Sequence, residues 1–171
     1  LGIDLGTSSV KLLLINESQM VIASSNAALD VQRPHAGWSE QHPADWVKAL
    51  ELAIAALGKS HPQEVAAIAG IGLSGHMHGA TLLDASDAVL RPCILWNDTR
   101  SHREAGELDD QPIFRTLTGN IVFPGFTAPK VLWVARHEPD IFKKIAKVLL
   151  PKDYLRLWLT GEHVSEMSDA A

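Results

Sequence analysis

The sequence predicts an α/β domain with a mixed sheet, and three features of the chain lead to this fold class. Apolar runs of strand length open the chain, one amphipathic helix follows, and strand-like and then helical segments fill the remainder. This order is typical of domains in which helices pack on a sheet. With 171 residues, 46% of them hydrophobic and 20% charged, the chain can bury a core of ordinary size.

The first elements are strands. Residues 1–15 form two apolar pieces around a Gly-Thr-Ser-Ser turn, and Met20 to Ala23 resume an apolar run. We therefore expect antiparallel pairing at the start of the chain.

The clearest helix follows at Pro43 to Leu57. Proline suits its first turn, Gly58 suits its C-terminal stop, and an apolar face is formed by Trp46, Leu50, Ala53, Ile54 and Leu57.

The remaining segments alternate less regularly. Residues 65–73 and 80–83 are predicted to be strands on either side of a turn rich in glycine and histidine, and residues 92–96 are predicted to be extended. Helices are then expected at 99–108, 112–117, 127–136, 139–146 and 151–160.

Composition excludes several classes of function. A net charge of -5 and an isoelectric point near 5.9 argue against non-specific nucleic-acid binding. Cys93 is the only cysteine, which rules out an intrachain disulfide and favours a reducing compartment. We find no signal peptide and no apolar run long enough to span a bilayer. We therefore expect a cytoplasmic protein with no nucleic-acid or membrane partner.

The opening stretch from Gly2 to Ser9 is a candidate phosphate-binding turn. Gly6 allows a sharp turn, after which backbone N–H groups and the hydroxyls of Thr7, Ser8 and Ser9 could face phosphate oxygens. Asp4 could hold a magnesium ion directly or through water. The alternative is a tight hairpin with an incidental aspartate.

A second glycine-rich stretch, Gly70 to Gly75, matches the dinucleotide-binding pattern. That pattern requires a helix directly after the glycines, whereas a strand is predicted here. The stretch also has the glycine spacing of a Walker loop, but His76 and Met77 stand where Lys and Ser/Thr belong. A nicotinamide-dependent oxidoreductase remains an alternative that a strand after Gly75 would exclude.

Two further groups of residues could bind small ligands. His76 and His78 could be metal ligands, could hydrogen-bond a polyol, or could serve only the turn. The run from Trp96 to Arg100 combines an aromatic face with an amide, a carboxylate and a guanidinium, a set that can orient a sugar. Alternatively, Asp98 or Thr99 caps the next helix and Arg100 lies on its surface.

Together these stretches resemble the N-terminal part of the xylulokinase family, among the sugar kinases that include glycerol kinase and gluconokinase. The opening Gly-Ile-Asp-Leu-Gly-Thr-Ser-Ser-Val-Lys is similar to the first phosphate motif of the sugar kinases. Four later stretches resemble xylulokinases in particular. They are Ser74 to Asp84, Leu95 to Arg100, Thr118 to Asn120 and Pro124 to Lys130.

The resemblance implies an actin-like ATPase domain of the ribonuclease H type, with a mixed five-stranded sheet flanked by helices. It implies that residues 1–171 form a partial N-terminal sugar-kinase domain, with the second, nucleotide-binding domain and the catalytic base beyond residue 171. The chain alone would then be inactive. The implied reaction is phosphorylation of D-xylulose by ATP and Mg²⁺ to D-xylulose 5-phosphate. A homodimer is compatible with it.

The resemblance also implies roles for individual residues. Asp4 would organise the metal and the phosphates. The nucleotide's phosphates would be bound by Gly6, Thr7, Ser8, Ser9 and Lys11. The sugar would be contacted by Met77, His78, Trp96, Asn97, Asp98 and Arg100. Alternatives are a kinase of another pentulose or polyol and a non-catalytic actin-like nucleotide-binding domain.

Overall fold

The computed structural model describes residues 1–169, in which eight strands and seven helices follow one another. The strands are β1 (Gly2–Leu5), β2 (Ser9–Ile15), β3 (Val21–Ala28), β4 (Glu40–Gln41), β5 (Gly72–Gly75), β6 (Thr81–Leu83), β7 (Cys93–Ile94) and β8 (Lys147–Leu149). The helices are α1 (Pro43–Ser60), α2 (Pro62–Ala66), α3 (His102–Asp109), α4 (Pro112–Thr118), α5 (Thr127–His137), α6 (Pro139–Phe142) and α7 (Pro151–Thr160). None of these helices has the length and apolarity needed to cross a membrane.

The main sheet is mixed, as predicted, with the strand order β3-β2-β1-β5. Strand β2 pairs antiparallel with β1 and β3, whereas β5 runs parallel to β1. Within residues 1–169 this sheet has four strands, whereas five were expected for a domain that is incomplete at its C-terminal end. The next strand, β6, leaves the sheet and pairs with β8 instead. Gly79 permits this departure, because a Cβ there would lie 2.5 Å from the Pro151 Cγ.

One face of the main sheet is buried and the other is open. Residues of β1 and β2 alternate between the two faces, and those on the inner face pack on helices α1 and α7. The buried core formed in this way includes Ile3, Leu5, Val10, Leu12 and Leu14 from the strands and Trp46, Leu50, Leu57 and Leu155 from the helices. Each such side chain contributes about 1.5–3 kcal/mol by leaving water. The opposite face carries Asp4 and Lys11 and is exposed.

Helix α1 confirms the clearest sequence prediction but extends beyond the expected stop. Gly58 stays helical, and the helix ends at Ser60; the N–H of the next residue, His61, donates to the Leu57 carbonyl. Pro62 then opens α2 and cannot continue the bond pattern of α1 because it has no N–H.

The strand predicted at 65–73 is wrong over most of its length. Its first residues belong to α2, and only Gly72 and Leu73 enter β5. Val65 and Ile68 pack on the core without being extended, so an apolar run with two alanines was compatible with a helix.

The later helices largely confirm the prediction. The exception is the helix expected at 139–146, which stops after Phe142 and is followed by β8. Strand β7 lies in the stretch predicted to be extended and pairs with β4. A second, smaller core forms here between the minor sheets and α5, from Ala80, Leu82, Ile94, Trp133 and Val134.

Candidate active site

The turn between β1 and β2 presents free backbone donors. The Gly6 N–H donates to the Ser9 carbonyl at 3.0 Å, and a Cβ on Gly6 would lie 3.1 Å from that same oxygen. Within residues 1–169, the N–H groups of Thr7 and Ser8 donate to no other protein group. Ser8 is exposed, and Ser9, which begins β2, is half-buried. Free N–H groups beside hydroxyls can bind an anion such as a phosphate.

Three side chains hold this turn in place. The Gln41 Nε2 donates to the Thr7 carbonyl at 2.7 Å, and the Gln41 Oε1 accepts from the Trp46 indole N–H at 3.0 Å. On the other side, the Trp96 indole N–H donates to the Thr7 hydroxyl oxygen at 3.0 Å. The predicted phosphate turn and the predicted sugar segment are therefore in direct contact, although 89 residues separate them in sequence.

Asp4 lies in a row of polar residues across the open face of the sheet. In the strand register it stands beside Ser74 on one side and Lys11 on the other, and Asn26 follows Lys11. The Ser74 hydroxyl donates to the Asp4 Oδ1 at 3.1 Å. A cleft of about 570 Å³ runs over this face. Lys11 thus lies next to Asp4 on the sheet and not in the turn itself.

The donor set at Asp4 suits magnesium better than a metal held by protein alone. No group of three or more acidic, His or Cys side chains that could hold a metal occurs in residues 1–169. Magnesium in phosphate sites is usually bound by one or two carboxylates, the phosphates and several waters. One exposed carboxylate beside an anion-binding turn fits that pattern. The same finding leaves His76 and His78 without the further ligands that a protein metal site requires.

His78 is held in an unusual backbone conformation. Its φ angle is 61°, in the left-handed region that few residues other than glycine adopt. Its ring packs on Phe126, with ring centroids 4.6 Å apart. Beside it lies a cleft of about 390 Å³, a volume suited to a small ligand. Of the predicted sugar residues, only His78 lines this cleft; Met77, exposed by 44%, lies outside it.

His76 is buried, and its ring packs edge-on against Trp46. Neither ring nitrogen has a hydrogen-bond partner in the described part of the chain. Burial lowers the pKa of His76 to about 4, the nearby Lys130 charge adds to the lowering, and the Asp4 charge opposes it. The pKa of His78 is lowered by the same two causes, burial first. Both imidazoles are therefore neutral at pH 7.

The buried His76 makes stability depend on pH. The unfolded state binds the proton below the ordinary pKa of about 6.5, while the folded state binds it only below about 4, so stability falls as pH drops between these values. His76→Gln should remove this dependence. At pH 5, the wild-type protein should have lost about 2 kcal/mol more of its pH 7 stability than the variant. Urea unfolding at pH 7 and pH 5 measures this, and equal losses in both proteins would contradict it.

Residues in the run from Trp96 to Arg100 differ in how deeply their side chains are buried. Trp96 is exposed by 42%, and Asn97 is half-buried with an Oδ1 that has no partner in the described residues. Asp98 and Arg100 are buried and joined to each other, with an Arg100 Nη2 to Asp98 Oδ2 distance of 2.6 Å. The Arg100 guanidinium also lies 3.6 Å from the Trp38 ring centroid.

This arrangement corrects two predictions. Asp98 and Arg100 have no side-chain surface to offer a sugar in this structure, because their side chains are 0% and 1% exposed and are ion-paired with each other. Arg100 does not lie on the surface of the next helix either, and α3 has Ser101 as its N-terminal flanking residue, without a side-chain cap. The pair is buried within the protein, and Trp96 and Asn97 are the less buried of the residues predicted in this segment.

The second glycine-rich stretch is not a dinucleotide site. Gly72 and Gly75 lie within β5, and the next element is the strand β6. No helix N-terminus follows the glycines, which removes the oxidoreductase alternative.

Sequence reasoning missed several residues that shape this region. Ser74 bonds Asp4, Gln41 holds the turn, and Thr127 and Lys130 hold the His78 carbonyl. Thr127 and Lys130 belong to the stretch Pro124 to Lys130, which carried part of the family resemblance without an assigned role. A lysine within an apolar helix face was the available signal for Lys130.

Comparison with known proteins identifies the family. Residues 1–171 match the N-terminal domain of the FGGY family of carbohydrate kinases. The chain belongs to this family. It is 57% identical over 173 residues to the xylulose kinase of Escherichia coli (strain K12), covering all of this chain and 35% of that protein. The resemblance inferred from the motifs is thereby confirmed.

Solved structures agree with this. A "xyloylose kinase" from Brucella ovis is 70% identical and superimposes with a TM-score of 0.98, and a xylulose kinase from Rhodospirillum rubrum is 34% identical with a TM-score of 0.93. Each match covers 99% of this chain and 36% of the other. The chain has the actin-like α/β fold of these sugar kinases, and it spans about a third of the length of the relatives it matches.

Proposed function

We propose that this chain supplies the N-terminal, sugar-binding part of an active site that phosphorylates D-xylulose with ATP, giving D-xylulose 5-phosphate. Residues 1–171 would form the N-terminal domain, and the domain that binds most of the nucleotide would lie outside them. The relatives named xylulose kinase support this choice of sugar. A cytoplasmic location belongs to the same proposal, because the single cysteine, Cys93, is a buried free thiol.

The observation that carries the proposal is the contact between the two halves of the site. Phosphoryl transfer requires the acceptor hydroxyl and the transferred phosphorus to be held in line, so a phosphate turn must lie beside a sugar pocket. The hydrogen bond from Trp96 to Thr7 joins the two segments for which we propose these roles, and it supports the proposal. If the β1–β2 turn were only a tight hairpin, the hydrogen bond to it from the exposed Trp96 indole would have no evident purpose.

The chain's own residues would divide the work as follows. The free N–H groups and hydroxyls of the β1–β2 turn would bind phosphate oxygens, and the Asp4 carboxylate would hold Mg²⁺. When bound, Mg²⁺ supplies positive charge where negative charge develops on the transferred group. His78 would hydrogen-bond the sugar as a neutral imidazole. Trp96 and Asn97 would border the sugar near the turn.

The reaction forms one bond and breaks one. The 5-hydroxyl oxygen of the sugar bonds to the γ-phosphorus, the bond from that phosphorus to the β–γ bridging oxygen breaks, and ADP leaves with that electron pair. The hydroxyl proton passes to a carboxylate base, which the family resemblance implies beyond residue 171. Residues 1–171 alone are therefore expected to give no turnover.

The decisive assay couples ADP formation to D-xylulose in the protein at its full natural length. Activity is expected with D-xylulose and is expected to be much weaker with other pentuloses, glycerol and gluconate. A preference for one of those sugars would instead favour a kinase of another pentulose or polyol. Nucleotide binding without any sugar-dependent ADP formation would favour a non-catalytic member of the fold.

His78→Ala should raise the KM for D-xylulose by about tenfold or more and leave the KM for ATP within about twofold, because a hydrogen bond to the sugar is lost while the phosphate turn is intact. Steady-state kinetics with each substrate varied in turn measures this. His163→Ala, at an exposed histidine remote in sequence from both motifs, is the matched control. Equal increases in both KM values would contradict the sugar-contact role.

A further inference from the structure

Lys130 is a buried cation without an acidic partner. Its side chain is completely enclosed, at 0% exposure, and it lies in the first turn of α5. Within residues 1–169, no carboxylate lies within ion-pairing distance of its Nζ. Burial lowers the pKa of Lys130 to about 8. Enclosing an ammonium group without a counterion is unfavourable, so the contacts that the group makes have to compensate.

The Lys130 ammonium is bonded to two backbone carbonyls from different segments. Its Nζ donates to the His78 carbonyl at 2.8 Å and also to the Gly125 carbonyl. The Thr127 hydroxyl donates to the same His78 carbonyl at 3.2 Å. Two donors from the start of α5 therefore converge on the carbonyl of the one predicted sugar residue that lines the cleft.

These bonds fall where the backbone needs support. His78 has a φ angle of 61°, a conformation that a non-glycine residue keeps only when its surroundings enforce it. The ring of His78 is fixed by Phe126, and its carbonyl is fixed by Thr127 and Lys130. All three supports come from one short stretch of chain.

The second carbonyl links Lys130 to the Trp96 segment. Gly125 packs so closely that a Cβ there would lie 2.7 Å from the Trp96 carbonyl oxygen. The ammonium group thus ties together the turn that carries His78 and the backbone that lies against Trp96. Both segments belong to the sugar side of the proposed site.

We propose that Lys130 is a positioning residue for the sugar, which acts by fixing the His78 turn relative to the Gly125 and Trp96 backbone. This inference rests on the proposed function, because it assigns Lys130 an effect on the affinity of that same site. Lys130 does not touch the reacting atoms. Its loss should weaken sugar binding and leave the phosphate turn unchanged.

The test compares two variants and one control in the protein at its full natural length. Lys130→Met keeps the length and apolar stem of the side chain but removes its hydrogen bonds to the His78 and Gly125 carbonyls. Thr127→Val removes only the hydrogen bond from the Thr127 hydroxyl to the His78 carbonyl. Lys130→Met should raise the KM for D-xylulose by about tenfold, as expected for a charge-assisted bond, with the KM for ATP within about twofold. Thr127→Val should act in the same direction and by less. Lys144→Met, the same change at an exposed lysine, should do nothing.

A double variant distinguishes positioning of His78 by Lys130 from a non-specific disturbance of the protein structure. If Lys130 acts through His78, the increase in KM caused by Lys130→Met should shrink several-fold in the His78→Ala background, because the positioned side chain is already missing. An increase of equal size in both backgrounds would overturn the inference. Should Lys130→Met fail to fold, Thr127→Val in the two backgrounds gives the same comparison.

The outcomes distinguish this inference from the proposed function. If His78→Ala raises the sugar KM but Lys130→Met and Thr127→Val both leave it within about twofold of wild type, the positioning role is wrong and the kinase assignment stands. If His78→Ala itself leaves the sugar KM unchanged, the sugar-contact role of His78 fails and the inference fails with it.

Discussion

Asp4→Asn is expected to lower kcat by about a hundredfold or more and to leave the KM for D-xylulose within about twofold, because it would remove the proposed anchor of a Mg²⁺ ion that acts mainly in the transition state. The residue lies on the open face of the sheet, next to the turn with free N–H groups, and does not line the cleft beside His78. Steady-state kinetics at saturating Mg²⁺, with the protein at its full natural length, measures the effect.

Two further variants serve as comparisons for Asp4→Asn. Asp140→Asn makes the same change at an exposed aspartate on α6 and should leave kcat unchanged. Ser74→Ala removes the hydroxyl that bonds the Asp4 Oδ1 and should lower kcat by less than tenfold, since a neutral hydrogen bond contributes about 0.5–1.5 kcal/mol. Wild-type activity in Asp4→Asn would show that the metal is held elsewhere.

Asp98→Ala is expected to lower the free energy of unfolding by about 3–5 kcal/mol, because it leaves a buried guanidinium without one of its two carboxylates. The Asp98 carboxylate accepts from the Ser39 N–H at 2.6 Å, from the Arg100 N–H at 2.9 Å and from the Arg100 Nη2 at 2.6 Å. After the change, Glu40 is the remaining carboxylate bonded to Arg100, with an Nη1 to Oε1 distance of 2.7 Å. Urea unfolding followed by circular dichroism measures the loss.

The matched control for Asp98 is an ion pair in solvent. Asp140→Ala breaks a pair with Lys143 in which both side chains are more than 70% exposed, and it should change stability by less than about 1 kcal/mol. A stable Asp98→Ala protein with a selectively raised KM for D-xylulose would restore the sugar-contact prediction that burial argues against.

The sequence predicted the elements whose signals are local. Helix α1 has a proline at its start and a clear apolar face, and both features were sufficient to find it. The turn at Gly6 was predictable because a glycine followed by small hydroxylated residues favours a tight approach of the backbone. Asp4 stood out for the same reason, since it lies two residues before that glycine.

Features that depend on distant residues could not be predicted in this way. The strand β8 is three residues long and exists because β6 lies beside it, so nothing within 139–149 distinguished it from the end of a helix. Asp98 looked like a ligand for sugar because its buried contact with the Ser39 N–H, 59 residues away in sequence, is not visible in the motif itself. The partners of Lys130 were hidden for the same reason.

Helix α5 is held at its first turn and again near its middle. Its first turn holds the backbone around His78, and further along the Arg100 guanidinium lies 5.1 Å from the Trp133 ring centroid. Because the helix is held at two points, it cannot rotate relative to the residues that contact it. The spacing between the backbone around His78 and the backbone around Trp96 is therefore set when the protein folds. If the sugar binds beside His78 as proposed, these contacts would leave little conformational entropy to be lost from this part of the site on binding.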